Sequence, residues 1–166
     1  MNKPFVAVLM GSDSDLPVMQ ATLEVLKALE LSFEARITSA HRTPEATASY
    51  VKEADARGCA VFIAAAGLAA HLAGTVAANT LKPVIGIPMA GGPLNGMDAL
   101  LSTVQMPGGV PVACVAIGKA GAKNAAYLAA QILGLSDPAL AQRLASDRQA
   151  MAQSILAKAD MVPGYS

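Results

Sequence analysis

Seven consecutive residues, Ser39-Ala40-His41-Arg42-Thr43-Pro44-Glu45, set a hydroxyl, an imidazole and a guanidinium side by side. Imidazole titrates near neutrality, and beside a fixed cation on a loop it suits proton transfer next to an anionic ligand. His41 is one of 2 histidines in the chain. The same stretch also fits a surface histidine beside a solvated arginine. A second chemistry-bearing stretch is Gly11-Ser12-Asp13-Ser14-Asp15. Backbone N–H groups at a helix start favour an anion, and Ser12 and Ser14 add hydroxyl donors. The Asp15 carboxylate would repel phosphate and suits a ribose hydroxyl or a ring amine. Ser12 and Asp15 read equally as helix caps. The third stretch is Gly67-Leu68-Ala69-Ala70-His71-Leu72-Ala73-Gly74. Its glycines permit close backbone approach to a ligand. By itself His71 reads more readily as a structural histidine at a helix start than as a site residue.

Several other chemistries find little support. The chain has neither G-x-x-x-x-G-K-[ST] nor a G-x-G-x-x-G after its first strand-like run. No G-x-S-x-G elbow supports a serine hydrolase. Two histidines and two cysteines make no ligand-spaced metal cluster.

The elements around these loops alternate. Phe5 to Met10 is a continuous apolar run ended by Gly11, as expected of a strand covered on both faces. Leu16, Met19, Leu23 and Leu26 follow helical spacing and share one face. Phe33 to Ile37 is a second strand that leads into the His41 loop. Pro44 to Arg57 is a helix with Ala46, Tyr50 and Ala54 on one side, closed by Gly58. Ala60 to Ala66 is the third strand, followed by a helix of small residues from about 69 to 79 that suits a subunit contact. Pro83 to Ile87 is the fourth strand, and Gly91-Gly92-Pro93 a turn. Met97 to Val104 is a short helix, Val112 to Ile117 the fifth strand, and Gly118 and Gly121 open a helix to about Leu133.

Asp137-Pro138 starts a last helix over about 137–158, with Leu140, Leu144, Met151 and Ile155 on one face. With no strand after it, that helix packs on its own domain or on a neighbouring subunit. The tail from Met161 to Ser166 reads as loosely held. The pattern predicts an α/β, three-layer, flavodoxin-like domain spanning 1–166, with a five-stranded parallel sheet in the order 2-1-3-4-5 and an extra C-terminal helix. In that order the strand order reverses between strands one and three, and ligands bind outside the carboxyl ends of the strands there.

Composition narrows the classes. The 166 residues are 54% hydrophobic and 14% charged, with formal net charge zero and no tryptophan. No basic stripe supports a nucleic-acid partner. The longest apolar run, Cys59 to Ala70, is too short for a membrane helix, so no membrane association is expected. The apolar excess points to burial between subunits of a homo-oligomer. The N-terminal apolar run lacks a cleavage site and reads as a strand, and Cys59 and Cys114 read as small hydrophobes in a reducing compartment. Cytoplasm is the expected location.

Taken in order, Gly11-Ser12-x-Ser14-Asp15, Ser39-Ala40-His41-Arg42-Thr43-Pro44, Ala69-Ala70-His71-Leu72, Val104-Gln105-Met106-Pro107, Gly109-Val110-Pro111-Val112 and Ala116-Ile117-Gly118 resemble the PurE family. Its bacterial members are 5-(carboxyamino)imidazole ribonucleotide mutases of purine biosynthesis. The resemblance covers nearly the whole chain, and the motifs are specific as a set. It implies a homo-octamer acting on a small nucleotide without metal, ATP or organic cofactor. A carboxylate would move from the exocyclic amine of the imidazole ribonucleotide to ring carbon 4. Carried over by motif, Ser12, Asp15 and Arg42 would bind the nucleotide, Arg42 as a phosphate clamp, with Ser39 lining the pocket. His41 would be the general acid/base. Ala69 and Ala70, with backbone amides after the third strand, would hold the released carbon dioxide beside the ring, with His71 in support and Leu72 among the substrate-binding residues.

Two residues depart from the family pattern. Leu68 stands where glycine is common, and Ala73 where proline is common. Leu68 would narrow the pocket or alter the loop backbone, since only glycine enters positive φ freely. Three rival functions stand beside the mutase. A direct aminoimidazole ribonucleotide carboxylase is typical of the animal-type branch, which tends to carry lysine after the histidine, so Arg42 favours the mutase. A non-catalytic nucleotide-binding module would be indifferent to His41→Asn. A flavin carrier is disfavoured by the scarcity of aromatics near the loops.

Overall fold

A computed structural model of the chain describes residues 4–158. The expected loose tail, 161–166, lies outside the described residues. The elements run β1 (Phe5–Met10), α1 (Leu16–Ala28), β2 (Phe33–Ile37), α2 (Pro44–Ala56), β3 (Cys59–Ala66), α3 (Leu72–Ala77), β4 (Val84–Pro88), α4 (Met97–Val104), β5 (Ala113–Cys114), α5 (Gly118–Gly134) and α6 (Pro138–Leu156). The sheet order is β2-β1-β3-β4-β5, with every pairing parallel. The expected fold class and strand order therefore hold.

Burial on both faces explains why β1 and β3 are apolar throughout. Val6, Val8 and Met10, with Val61, Ile63, Ile85 and Ile87, pack against α1 and α5 through Met19, Leu26, Ala122, Ala125, Ala126 and Ala129. Phe5, Ala7 and Leu9, with Phe62 and Ala64, pack against α2 and α3 through Tyr50, Val51, Leu72 and Val76. The alternation is the two-residue period of a strand, read on both sides of a covered sheet. Small side chains on α5 let it approach α1, where the Thr22 hydroxyl donates to the Ala122 carbonyl at 2.8 Å.

Several expected details change. β5 covers two residues instead of Val112 to Ile117. It is an edge strand with one neighbour, and β4 offers it only Ile85 and Gly86 as partners. The helix expected from about 69 starts at Leu72, after an irregular loop, and its Leu72, Ala73 and Val76 are buried. Gly74, Thr75 and Ala77 are half-buried on its other side. Leu16 and Ala46 are exposed, while Thr22 and Thr47 are buried in their helices. Cys114 is only partly buried. Asp137 caps α6 by accepting the Leu140 N–H at 3.0 Å, and Leu140 is fully buried with Leu29 and Ala130. The first half of α6 is therefore docked on its own domain, while Met151, Ile155 and Leu156 are exposed.

Candidate active site

The loops at the carboxyl ends of β1, β2, β3 and β4 enclose a cleft of about 740 Å³. Among the sequence-selected residues, Ser12, Asp15, Ser39, His41, Arg42, Ala69, His71 and Leu72 line it. Ala70 does not line it, and at 1% exposure it belongs to the wall behind.

The loop after β1 is held open by its own caps. Ser12 caps a single 3-10 turn over Asp13–Asp15, and its backbone N–H donates to Asp15 Oδ2 at 3.1 Å. The Ser14 N–H returns to Ser12 Oγ at 3.2 Å, completing a capping box. The capping reading of Ser12 and Asp15 is thus observed, and both still line the cleft. Burial pushes the Asp15 carboxyl above its ordinary range, against the opposing pull of the Ser12 and Gly11 N–H groups, while Asp13 adds to the rise.

The loop after β2 is clamped at its base. The Thr43 N–H donates to the Ser39 carbonyl at 3.0 Å, and the Ser39 N–H donates to Thr43 Oγ1 at 3.0 Å. Ser39 Oγ accepts the Arg42 N–H at 3.1 Å, so this hydroxyl shapes the turn as well as lining the cleft. Beneath them, the buried hydroxyls of Thr38 and Thr47 meet at 2.7 Å. No sequence signal marks this pair, because a threonine after a strand and another in a helix carry no chemical signature until they meet. The result is a loop on which His41 and Arg42 are both exposed and both line the cleft. Arg42 Nη2 reaches the Gly11 carbonyl at 3.5 Å, bridging the loops after β2 and β1.

The loop after β3 brings the second histidine. His71 immediately precedes α3, and its side chain makes no capping bond. Instead its Nδ1 lies 2.7 Å from His41 Nε2, with the rings edge to face at 87°. One of these nitrogens must donate and the other accept, so the rings share a single proton at that contact. His71 therefore stands at a helix start, as its local sequence indicates, and there it is also a hydrogen-bond partner of His41 at the cleft.

Leu68 adopts φ +54°, the left-handed conformation expected to be costly for a residue other than glycine. The loop after β4 contributes Met89, Ala90, Gly91 and Gly92 to the cleft, none of them singled out in the sequence. Their only sequence signal was the turn composition of Gly91-Gly92-Pro93 at the carboxyl end of a strand.

Arg42 is the one fixed cation and Asp15 the one carboxylate among the described lining residues. Such a cleft can hold an anion near Arg42 and the Ser12 and Ser14 hydroxyls, and hydroxyl or amine donors near Asp15. Its paired imidazoles can move a proton next to a wall of alanine and backbone. No three histidine, cysteine, aspartate or glutamate side chains converge as metal ligands among the described residues.

Comparison with known proteins agrees with this architecture. Residues 5–154 match the family described as AIR carboxylase. A protein of Thermotoga maritima named N5-carboxyaminoimidazole ribonucleotide mutase is 51% identical over 94% of this chain and 90% of its own. A Bacillus subtilis protein of the same name is 49% identical over 96% of this chain and 99% of its own. The crystal structure of Treponema denticola PurE superposes with a TM-score of 0.88 at 32% identity, covering 98% of this chain and 100% of that one. With a match running through every strand of the sheet and all four cleft loops, the chain belongs to the AIR carboxylase family.

Proposed function

We propose that this protein is an N5-carboxyaminoimidazole ribonucleotide mutase of purine biosynthesis, with His41 as its general acid/base. The observation that carries the reading is the His41 Nε2 to His71 Nδ1 contact of 2.7 Å inside the cleft, in a chain of this family. The relatives' shared name supports the reaction.

The chemistry requires two proton movements. The N–C bond of the carbamate breaks as the imidazolium of His41 gives a proton to the departing nitrogen. Carbon dioxide and the aminoimidazole ribonucleotide are the intermediates. Ring carbon 4 then attacks the carbon dioxide, a C–C bond forms, and the proton on that carbon passes back to the His41 imidazole. The overall change is an isomerisation, with no proton gained or lost. His71 orients the His41 ring through their shared hydrogen bond. Arg42, with Ser12, binds the phosphate of the nucleotide. Asp15 accepts hydrogen bonds from the ribose. Ser39 lines the pocket and fixes the turn through the Arg42 N–H. Ala69 and Leu72 bound the carbon dioxide, with Ala70 as backing behind them. No cofactor or metal enters these steps.

The working form is a homo-octamer in the cytoplasm. Exposed apolar side chains support assembly: Leu94, Met97, Leu101 and Val104 on and before α4, and Met151, Ile155 and Leu156 on α6. Among the described residues, no helix is long and apolar enough to cross a membrane.

The test is conversion of synthetic N5-carboxyaminoimidazole ribonucleotide by pure protein without ATP or added bicarbonate, beside His41→Asn. Isomerisation by the unsubstituted protein, with a loss of about 10²-fold or more in the variant, is expected for general acid–base catalysis. Turnover only of aminoimidazole ribonucleotide with carbon dioxide would make it a direct carboxylase. Ligand binding without any turnover would make it a binding module.

A further inference from the structure

Leu68 and Gly92 meet on neighbouring loops at the cleft as a matched pair. Leu68 sits at φ +54° on the loop after β3, and Gly92 at φ +63° on the loop after β4. A Cβ added to Gly92 would lie 2.5 Å from Leu68 Cδ2, a separation that real side chains do not show. Leu68 therefore lies directly over the backbone of Gly92, in the space that residue leaves empty. One position has a side chain where its backbone conformation disfavours one. The other lacks a side chain where the neighbour needs the room.

The two loops are already joined at their base. The Met89 N–H donates to the Ala66 carbonyl at 2.9 Å, continuing the ladder between β3 and β4. Beyond Met89 the glycine-rich turn has backbone bonds of its own, Asn95 N–H to the Gly92 carbonyl at 3.5 Å and Met97 N–H to the Leu94 carbonyl at 3.0 Å. Neither crosses to the loop after β3. The Leu68 side chain does. It also lines the cleft alongside His41, His71 and Gly92. An apolar side chain here repels water and offers no hydrogen bond to carbon dioxide or bicarbonate.

We propose that Leu68 is a positioning residue that latches the glycine-rich loop after β4 and retains carbon dioxide between its release and its recapture. This rests on the mutase reading. Retention matters only to a reaction that frees a small neutral molecule midway. If Leu68 swings away, carbon dioxide leaves, and the turnover ends in aminoimidazole ribonucleotide. The Leu68 latch is absent from any account based on His41 alone, because it acts on the fate of the intermediate and not on the proton.

The experiment compares unsubstituted protein, Leu68→Gly, Leu68→Met and Gly92→Ala with synthetic N5-carboxyaminoimidazole ribonucleotide in ¹³C-bicarbonate buffer containing carbonic anhydrase. Glycine suits the backbone at position 68, so Leu68→Gly removes the side chain without opposing the fold. The readout is the fraction of enzymic turnovers ending in aminoimidazole ribonucleotide, together with label entering the carboxylated product, after subtraction of spontaneous decarboxylation. Leu68→Gly should raise the leaked fraction about fivefold or more, and label should enter in parallel. Leu68→Met should retain near-normal partition, since a long apolar side chain can still reach Gly92. Gly92→Ala should leak as Leu68→Gly does, and add little when combined with it. A general loss of rate with unchanged partition in Leu68→Gly would overturn the latch. Absence of isomerisation by the unsubstituted protein would overturn the mutase reading and the latch with it, because no intermediate would then need holding. Isomerisation with an unchanged leak would overturn the latch alone.

Discussion

Replacing Thr47 by valine should loosen the His41 loop from below, and the structure gives the size of the effect. Thr47 is fully buried and Thr38 is 8% exposed, with their hydroxyl oxygens 2.7 Å apart. The Thr47 hydroxyl has one proton, and the Thr43 carbonyl at 3.0 Å is a better acceptor than the Ser39 carbonyl at 3.3 Å. Thr38 then donates to Thr47. In Thr47→Val the shape is nearly kept, and the Ser39 carbonyl retains the Thr43 N–H and hydroxyl. What is lost is the partner of a buried Thr38 hydroxyl, at a cost of about 1–3 kcal/mol. For a chain of this length that is a fall of roughly 2–4 °C in Tm per kcal/mol. Thr38→Val leaves Thr47 bonded to carbonyl oxygen, and should cost about 0.5–1.5 kcal/mol. The double variant should cost less than the sum by about 1 kcal/mol, since removing both partners leaves no orphaned hydroxyl. The assay is urea denaturation at one protein concentration, with turnover measured on the same samples. Turnover should fall in Thr47→Val and partly recover in the double variant. Strict additivity of the two single changes would refute the reasoning, because it would mean the hydroxyls do not depend on each other.

Two further outcomes follow from titratable groups. Burial raises the Asp15 carboxyl in the folded state, so the folded chain takes up its proton at higher pH than the unfolded chain does. The stability of the unsubstituted protein relative to Asp15→Asn should therefore fall as pH rises from the ordinary value of 3.8 through the raised one, and then level off; a difference that grows with pH, measured by denaturation across that window, would contradict it. Burial also pushes the Cys59 thiol up to about 11, so a thiol reagent at pH 8 should leave Cys59 unlabelled in the native protein, and peptide mapping that finds it labelled would overturn the assignment of an inert core thiol.

The legibility of the fold varied from strand to strand. β1 and β3 were readable because a strand buried on both faces must be apolar along its whole length, and Phe5–Met10 and Cys59–Ala66 are. β5 was not, because its extent depends on how many partners β4 presents, and β4 presents two. The small-residue stretch before α3 read as continuous helix, since alanine favours helix wherever it stands. The Leu68 left-handed turn and the bond from the His71 N–H to the Ala69 carbonyl delay the helix to Leu72.

The site divides in the same way. Its residue types were legible from the sequence: a hydroxyl, an imidazole and a guanidinium in one loop, a capping serine and aspartate in another, and a second imidazole in a third. Their local order also specified the parallel α/β class, because strand and helix periods alternate along the chain. The partnership of His41 with His71 was not legible. The two lie 30 residues apart, on loops after β2 and β3. These strands are separated by β1, so their ends stand about 10 Å apart. Only the sheet order carries both loops to one end of β1, where the His41 and His71 rings meet. Likewise the matching of Leu68 to Gly92 depends on two unusual backbone conformations on neighbouring loops. Composition and period act along the chain and can be read from it, whereas contact between distant side chains exists only after the backbone has closed.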